Sequence, residues 1–245
     1  MILQLDVGNT RLKWRLHDGQ ALRESGSQER SAHLQLPELS VAPAAVWVAS
    51  VAGAEYNEQL SQRVQAAWGV SPWFAQSRAQ ACGVTNSYAE PERMGVDRWL
   101  AMIAAWTSVQ APVCVIDAGS ALTIDLVTAN GAHRGGYILP GLKLMERALL
   151  SDTDGVRFGE APRDQLSPGR STEAAVLNGL ALSQVGAVAT ALARFGDSEV
   201  LVFCGGDGAV LQRLLDAGGD YRADLVLDGL GLLAAAEFAS AEPGV

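Results

Sequence analysis

Apolar residues recur in short runs near the start of the chain and predict β-strands. Ile2–Leu5 and Leu12–Leu16 have the composition of buried strands, and Gly8–Thr10 between them has the residue types of a tight turn. The sequence therefore predicts a hairpin, followed by a further short strand at Ala45–Ser50. The spacing of apolar residues in Asn57–Trp68 then indicates a helix.

The same pattern returns in the middle of the chain. A strong strand signal at Val113–Ile116 leads into a second Asp-x-Gly turn, and Leu122–Val127 forms the returning strand. Asp117 follows Asp6 by 111 residues, and each stands between two apolar runs. Two such turns in the same setting indicate two similar α/β halves.

The boundary between the halves is expected near residues 108–112, where Pro112 interrupts the helical pattern that precedes it. We therefore divide the chain into an N-terminal half, 1–110, and a C-terminal half, 111–245. Ser151–Pro168 is polar and rich in Asp, Gly and Pro, so it is predicted to be a loop. The other predicted elements are helices at Arg98–Thr107, Leu142–Leu150, Thr172–Ala193, Ala209–Ala217 and Leu230–Ala239, and a strand at Val200–Phe203.

Composition and charge narrow the classes of function. Of the 245 residues, 49% are hydrophobic and 18% are charged, which is the composition of a globular protein with a sizeable core. The formal net charge of −9 disfavours nucleic-acid binding, which usually needs a basic face. We predict no signal peptide and no membrane span, because no basic leader and no apolar run of about 18 residues is present. A cytoplasmic location is expected.

The two Asp-x-Gly turns carry residue types that suit a nucleotide. Glycine lets a phosphate approach the backbone closely, and Thr10 and Ser120 supply hydroxyl donors. Lys13, on the returning strand, would add positive charge. Asp6 and Asp117 would act on cations, because a bare carboxylate repels a triphosphate. One such turn alone is more often an ordinary hairpin, whereas two facing turns would form a nucleotide cleft between the halves.

A third cluster, Gly95-Val96-Asp97-Arg98, precedes the helical pattern of Arg98–Thr107. Arg98 can bind a carboxylate in bidentate fashion, and Asp97 can take the proton of an attacking hydroxyl. On spacing alone, an ordinary helix N-terminus is the more common explanation of these residues, because the helix dipole favours Asp there. The sequence has neither the P-loop nor the Rossmann glycine pattern, and its three histidines show no zinc-binding spacing.

Taken in order, these motifs resemble those of the type III pantothenate kinases, which belong to the superfamily of acetate and sugar kinases, heat-shock chaperone ATPases and actin. The matching segments are Asp6–Thr10, Gly95–Arg98, Asp117–Thr123, Gly135–Gly141 and Cys204–Gly206. The resemblance covers nearly the whole chain. It implies an α/β fold of two duplicated actin/ribonuclease H-like domains with an interdomain nucleotide cleft.

The resemblance also implies a reaction, which is ATP-dependent phosphorylation of pantothenate at its primary hydroxyl as the first step of coenzyme A synthesis. It implies Asp97 as the catalytic base, a monovalent cation (K⁺ or NH₄⁺) at Asp117, Mg²⁺ with ATP, and a homodimer in which Thr172 serves the neighbouring subunit's site. The residues that it assigns to ATP are Asp6, Val7, Gly8, Asn9, Thr10, Arg11, Leu12, Lys13 and Ser120. Those that it assigns to pantothenate are Tyr88, Gly95, Val96, Asp97, Arg98 and Thr172.

Two alternatives remain at this stage. The first is another enzyme on the same scaffold, such as a sugar or acetate kinase or a phosphatase acting on polyphosphate. The second is a transcriptional regulator like the Bvg accessory factor, a close relative of the family. The acidic composition argues against direct DNA binding, and the presence of both phosphate turns and of Asp97-Arg98 favours catalysis.

Overall fold

The structure, a computed structural model, describes residues 1–31, 34–152, 164–196 and 199–239. The strands are β1 Ile2–Val7, β2 Arg11–His17, β3 Leu22–Glu29, β4 Ala45–Ser50, β5 Trp73–Phe74, β6 Gln80–Ala81, β7 Val84–Thr85, β8 Val113–Ala118, β9 Ala121–Val127, β10 His133–Pro140, β11 Val200–Cys204 and β12 Asp220–Tyr221. The helices are α1 Ala54–Trp68, α2 Val96–Val109, α3 Leu142–Asp152, α4 Thr172–Phe195, α5 Gly208–Leu215 and α6 Leu225–Ala239, with a 3-10 turn at Pro91–Arg93.

The described residues fall into two compact units. The first contains those of 1–108 together with α6, and the second contains those of 109–223. The division predicted from sequence gave everything from residue 111 onward to the second half. The structure differs at the C-terminal end, because α6 packs against β1 and β4 of the first unit.

The sheet of the first unit has the strand order β3-β2-β1-β4-β5. β1 runs antiparallel to β2 and parallel to β4, so it lies at the centre of the sheet. Alternate residues of β1, starting at Leu3, point toward α1, where they form a core with Leu60 and Val64 of that helix. All these side chains are fully buried, and truncating a buried leucine such as Leu60 to alanine typically costs about 2–5 kcal/mol.

The opposite face of this sheet is covered by α6. Arg15 on β2 donates a 2.6 Å hydrogen bond to Asp228 of the helix, and the Trp47 and Phe238 rings stack with centroids 5.9 Å apart. Gly229 lies against α2, where an added Cβ would come within 2.0 Å of the Leu100 carbonyl oxygen. The missing side chain therefore allows α6 and α2 to pack in direct backbone contact.

The sheet of the second unit repeats this topology. Its order is β10-β9-β8-β11-β12, with β8 antiparallel to β9 and parallel to β11. Each strand thus has a counterpart of the same direction and position in the first sheet. The predicted duplication of an α/β half, with the two Asp-x-Gly turns in equivalent hairpins, is confirmed.

The core of the second unit lies between its sheet and helices α4 and α5. Ile116, Leu122 and Phe203 are fully buried there and pack with Val188 of α4 and Leu211 of α5. In the described part of the chain, α4 alone is long and apolar enough to cross a membrane, with a mean hydropathy of 1.5. In its apolar window 33% of the residues are buried. The buried residues recur every three or four positions between Leu177 and Ala191, so one face of α4 packs on the core.

Several elements differ from the sequence-based expectation at their ends. α1 begins at Ala54 rather than Asn57, and α6 begins at Leu225 rather than Leu230. The strand β3 was missed, because its alternating polar residues at the edge of the sheet lack an apolar run. Most of the predicted loop Ser151–Pro168 lies outside the described residues.

Candidate active site

The first Asp-x-Gly turn joins β1 to β2. Gly8 donates its backbone N–H to the Arg11 carbonyl oxygen at 3.0 Å, and an added Cβ on Gly8 would stand 3.2 Å from that oxygen. Asn9, Thr10 and Arg11 are exposed at the tip. The turn therefore presents backbone and small polar side chains at the carboxyl end of a buried strand.

The strands on either side of this turn divide their side chains between the two faces of the sheet. Val7 is paired with Leu12, and both side chains are buried in the core, so any contact that these two residues make with a nucleotide is limited to the backbone. Asp6 is the cross-strand partner of Lys13. Directly opposed residues of an antiparallel pair point to the same face, so a carboxylate and an ammonium stand together on the face away from that core.

Arg30 contacts this turn and Tyr56 contacts Arg30, and neither contact was predicted from the sequence. The Arg30 N–H donates to the Thr10 carbonyl oxygen at 2.8 Å, and Nη1 of the same residue donates to the Gly8 carbonyl oxygen at 3.1 Å. The guanidinium carbon lies 4.5 Å from the centroid of the Tyr56 ring. Burial raises the pKa of Tyr56 although the Arg30 charge acts in the opposite direction. Arg30 follows a polar strand and is part of no sequence motif, so its role could not be predicted from the sequence.

Asp97 occupies the first turn of α2. Its Oδ1 accepts a 2.8 Å hydrogen bond from the Arg98 backbone N–H, and Trp99 donates its N–H to the Gly95 carbonyl oxygen at 3.1 Å. An added Cβ on Gly95 would lie 2.6 Å from the same Oδ1. A side chain at position 95 would therefore displace the Asp97 carboxylate from its present position.

Arg98 is the buried charged residue of this cluster. It is 6% exposed, and the buried Trp99 follows it in α2. Nη1 donates to the phenolic oxygen of Tyr88 at 2.8 Å. A buried charge is expensive unless it is hydrogen-bonded, so Tyr88 and Arg98 stabilise each other's position.

The loop that carries Tyr88 is fixed by two side chains that the sequence reading did not single out. Asn86 accepts the Tyr88 N–H through Oδ1 at 2.9 Å and donates through Nδ2 to the Pro91 carbonyl oxygen at 3.3 Å. Ser77, which is buried, donates to the Met94 carbonyl oxygen at 2.9 Å. Asn is a common turn residue, and this signal could have pointed to Asn86, two residues before Tyr88.

The second Asp-x-Gly turn joins β8 to β9. Asp117 is the cross-strand partner of Thr123, and Gly119 donates its N–H to the Ala121 carbonyl oxygen at 2.9 Å. Ser120 is exposed at the tip. This turn is one residue shorter than the first, so the two hairpins are equivalent in topology and different in detail.

Gly205, which follows β11, stands at a position that has no room for a side chain. It has a φ of +81°, and an added Cβ would come within 2.3 Å of Asp117 Oδ1 and 2.4 Å of the Ala118 carbonyl oxygen. Only a residue without a side chain fits against this carboxylate and carbonyl. The Asp117 oxygen is thereby placed beside the ends of both β8 and β11.

Gly141 plays a similar part on the other side of the same turn. It donates its N–H to the Ser120 carbonyl oxygen at 3.1 Å, and an added Cβ would stand 2.2 Å from the Gly119 carbonyl oxygen. Gly141 and Gly205, one from each of the later motifs, therefore pack against the second turn.

Thr172 is the first residue of α4 and is exposed. The preceding Ser171 is the N-cap, whose hydroxyl oxygen accepts the Ala174 N–H at 3.1 Å. Thr172 belongs to the second unit, whereas Tyr88 and Gly95–Arg98 belong to the first.

Solved structures of similar shape identify the fold. A Baf family transcriptional activator from Campylobacter jejuni matches with a TM-score of 0.64 at 20% identity, over 97% of this chain and 99% of that chain. The ethanolamine utilization protein EutJ from Carboxydothermus hydrogenoformans matches with a TM-score of 0.54 at 11% identity, over 94% of this chain and 89% of that chain. At such identities the likeness defines the fold, which is that of the actin-like ATPases.

Sequence relatives define the family within that class. The type III pantothenate kinase of Alcanivorax borkumensis is 39% identical over 244 residues, 96% of this chain and 99% of its own length. That of Marinobacter nauticus is 37% identical over 247 residues, with coverage of 96% and 99%. The sequence model of type III pantothenate kinases matches residues 2–194. The chain belongs to the type III pantothenate kinase family and is a kinase.

Proposed function

We propose that the protein transfers the γ-phosphoryl group of ATP to the primary hydroxyl of pantothenate. The product is 4'-phosphopantothenate, and the reaction is the first step of coenzyme A biosynthesis. The observation that carries this proposal is the Tyr88–Arg98 hydrogen bond next to the Asp97 carboxylate at the start of α2, in a chain of this family. A fixed cation and a fixed carboxylate suit an acceptor that has both a carboxylate and a hydroxyl group.

Asp97 is the proposed general base. Its Oδ1 is oriented by the Arg98 N–H, so the carboxylate has a defined direction before substrate arrives. It accepts the proton of the hydroxyl that attacks the γ-phosphorus. A base positioned in this way contributes about 100-fold to 10,000-fold to the rate.

Arg98 and Tyr88 bind the acceptor in this proposal. The guanidinium presents its N–H donors in a planar fork that matches the geometry of a carboxylate, and its bond to Tyr88 fixes the plane of that fork. Gly95 and Val96 contribute backbone contacts, because Gly95 has no side chain and Val96 is buried.

ATP binds at the two hairpin turns, with contacts from Asp6 to Lys13 and from Ser120. The ammonium of Lys13 offsets the charge of Asp6 beside it, which is required for a triphosphate to approach an acidic protein of net charge −9. A single carboxylate such as that of Asp6 suits Mg²⁺ that keeps most of its water shell.

Asp117 is the proposed ligand of a monovalent cation. Its Oδ1 and the Ala118 carbonyl oxygen both border the Cβ position of Gly205, and such oxygen donors suit a hard cation. Among the described residues no group of three or more His, Cys, Asp and Glu side chains lies together. The remaining ligands would therefore be carbonyl oxygens, phosphate oxygens and water. When bound, K⁺ or NH₄⁺ supplies positive charge near the phosphates of ATP.

The proposed assembly is a homodimer in the cytoplasm. The second unit exposes apolar side chains on β10, α3 and α4, including Tyr137, Ile138, Leu144 and Leu182. Isolated exposed apolar residues are common, but several on neighbouring elements suit contact with a second copy. Thr172, at the start of α4, would then serve the site of the partner subunit.

A coupled assay of ADP release tests the proposal. With ATP, Mg²⁺ and K⁺ present, release should depend on pantothenate, and a panel of sugars and acetate should give no comparable rate. Phosphorylation of a sugar without phosphorylation of pantothenate would show that pantothenate is not the acceptor. A regulator without enzymatic activity would release no ADP with any acceptor.

A further inference from the structure

Arg30 makes two hydrogen bonds to the first turn and one contact with helix α1. The Arg30 backbone N–H binds the Thr10 carbonyl oxygen at 2.8 Å, and the guanidinium binds the Gly8 carbonyl oxygen at 3.1 Å. The Tyr56 ring lies beneath the same guanidinium, 4.5 Å away. Arg30 therefore contacts the turn from one side, through both the main chain and the side chain.

The bond to Gly8 fixes the direction of a peptide group. The peptide between Gly8 and Asn9 is trans, so its C=O and N–H point in opposite directions. Because the carbonyl oxygen is directed at Arg30, the Asn9 N–H is directed away from it. Without this bond the peptide next to a glycine could rotate at little cost.

Tyr56 in turn confines Arg30. An arginine side chain loses conformational entropy when it is held in one place, so an unsupported guanidinium would leave the Gly8 carbonyl for much of the time. The ring of Tyr56, in the first turn of α1, offers its face to the guanidinium. The turn is thus fastened to α1 through Arg30.

We propose that Arg30 is a positioning residue for ATP. It holds the Gly8–Asn9 peptide in the orientation that presents the Asn9 N–H to a phosphate group on the side of the turn opposite Arg30. Tyr56 keeps Arg30 in place for this purpose. The inference rests on the proposed function insofar as phosphate is the ligand of this turn.

The test is the affinity for ATP and, separately, for adenosine, measured by calorimetric titration without pantothenate. Arg30→Ala should weaken ATP binding about tenfold, because the phosphate group loses a well-oriented donor. Adenosine has no phosphate group, so its binding should be unchanged. Arg30→Lys, which keeps the charge and a donor, should stay within about threefold of wild type. Tyr56→Leu should weaken ATP binding about threefold, and Tyr56→Phe, which keeps the ring, should not.

Arg23→Ala is the matched control, since Arg23 lies at the other end of β3, is exposed and pairs with Asp18. It removes one positive charge without touching the turn, and should leave the affinity for ATP unchanged. If Arg30→Ala does not fold, Arg30→Lys and Tyr56→Leu carry the comparison, with thermal unfolding recorded for each.

Equal ATP affinity in wild type, Arg30→Ala and Tyr56→Leu would overturn the inference, as would a parallel loss of ATP and adenosine binding. If wild type binds ATP but does not phosphorylate pantothenate, the proposed function fails alone and the titrations still decide the role of Arg30. If wild type binds no ATP, both fail.

Discussion

The Nη1 atom of Arg98 lies 2.8 Å from the phenolic oxygen of Tyr88, ten residues earlier in the chain. A helix residue and a loop residue are thereby held as one group. The loop is itself fixed by the side chain of Asn86. The direction of the buried guanidinium therefore depends on a hydroxyl group outside the helix.

Removal of that hydroxyl tests the link to the acceptor. We expect Tyr88→Phe to raise the KM for pantothenate about tenfold, because a buried charged donor loses its partner, which costs about 1–3 kcal/mol. The KM for ATP should change less than about twofold. Steady-state kinetics with each substrate varied measures both. An unchanged KM for pantothenate would show that the Tyr88 hydroxyl does not contribute to acceptor binding.

The role of Asp97 is tested by Asp97→Asn. The amide retains an oxygen for the Arg98 N–H and therefore the local geometry, but it cannot take up a proton. We expect kcat to fall at least about 100-fold while the thermal unfolding temperature stays close to that of wild type. Glu92→Gln, which removes an exposed carboxylate from the nearby 3-10 turn, should have no such effect. A near-normal kcat in Asp97→Asn would assign the base to another group.

The proposed cation site makes activity depend on the salt. We expect phosphorylation to require K⁺ or NH₄⁺, and Asp117→Asn to lose most of this activation. Asp216→Asn is the matched control, because Asp216 is an exposed aspartate of the same unit at a φ of +50°, which Asn also tolerates. Initial rates in K⁺, NH₄⁺ and Na⁺ buffers provide the measurement. Full activity in Na⁺ alone would speak against a cation at Asp117.

Gly205 and Gly206 offer a comparison between adjacent glycines. In Gly205→Ala the new Cβ meets the Asp117 carboxylate and the Ala118 carbonyl at a positive φ, whereas the Cβ position of Gly206 is open. We expect Gly205→Ala to lower the free energy of unfolding by about 1–3 kcal/mol and to reduce kcat, and Gly206→Ala to change neither appreciably. Denaturant titration and the coupled assay provide both readouts. Similar behaviour of the two variants would show that the packing around Gly205 is not needed.

The dimer is tested at Ile138, which is 62% exposed on the edge strand β10. We expect Ile138→Asp to shift the protein toward the monomer, because a charge in an apolar interface loses its hydration without gaining a partner. Leu22→Asp, at a leucine that is 59% exposed on β3, serves as control and should leave the mass unchanged. Light scattering after size exclusion measures this. A dimer that survives Ile138→Asp would place the interface elsewhere.

The sequence predicted the central hairpins of both sheets and their equivalence. Strands such as β1 and β8 are apolar because they are buried, so their pattern is visible without a structure. The edge strand β3 was missed because a solvated strand needs no apolar run. The position of α6 could not be predicted either. Much of its surface is buried, and its pattern does not reveal which sheet it covers.

The candidate site was predicted where residue type and spacing form a motif, as at Gly95–Arg98. Contacts between residues far apart in the chain were not visible. Arg30 reaches Gly8 across 22 positions. A residue of this kind acts by geometry, which no local pattern encodes. The buried side chains of Val7 and Leu12 show the reverse case, in which a motif includes residues that serve the core.

One equivalent cross-strand pair carries a different charge in the two hairpins, and this difference has an evolutionary consequence. Asp6 stands opposite Lys13, whereas the equivalent Asp117 stands opposite Thr123. If both copies descend from one duplicated ancestor, a change at this pair altered the charge beside the aspartate while both strands kept their pairing. The first copy carries its own counter-ion within the sheet. In the second, the proposed K⁺ or NH₄⁺ would take that place, which would make the enzyme responsive to the salt of its surroundings.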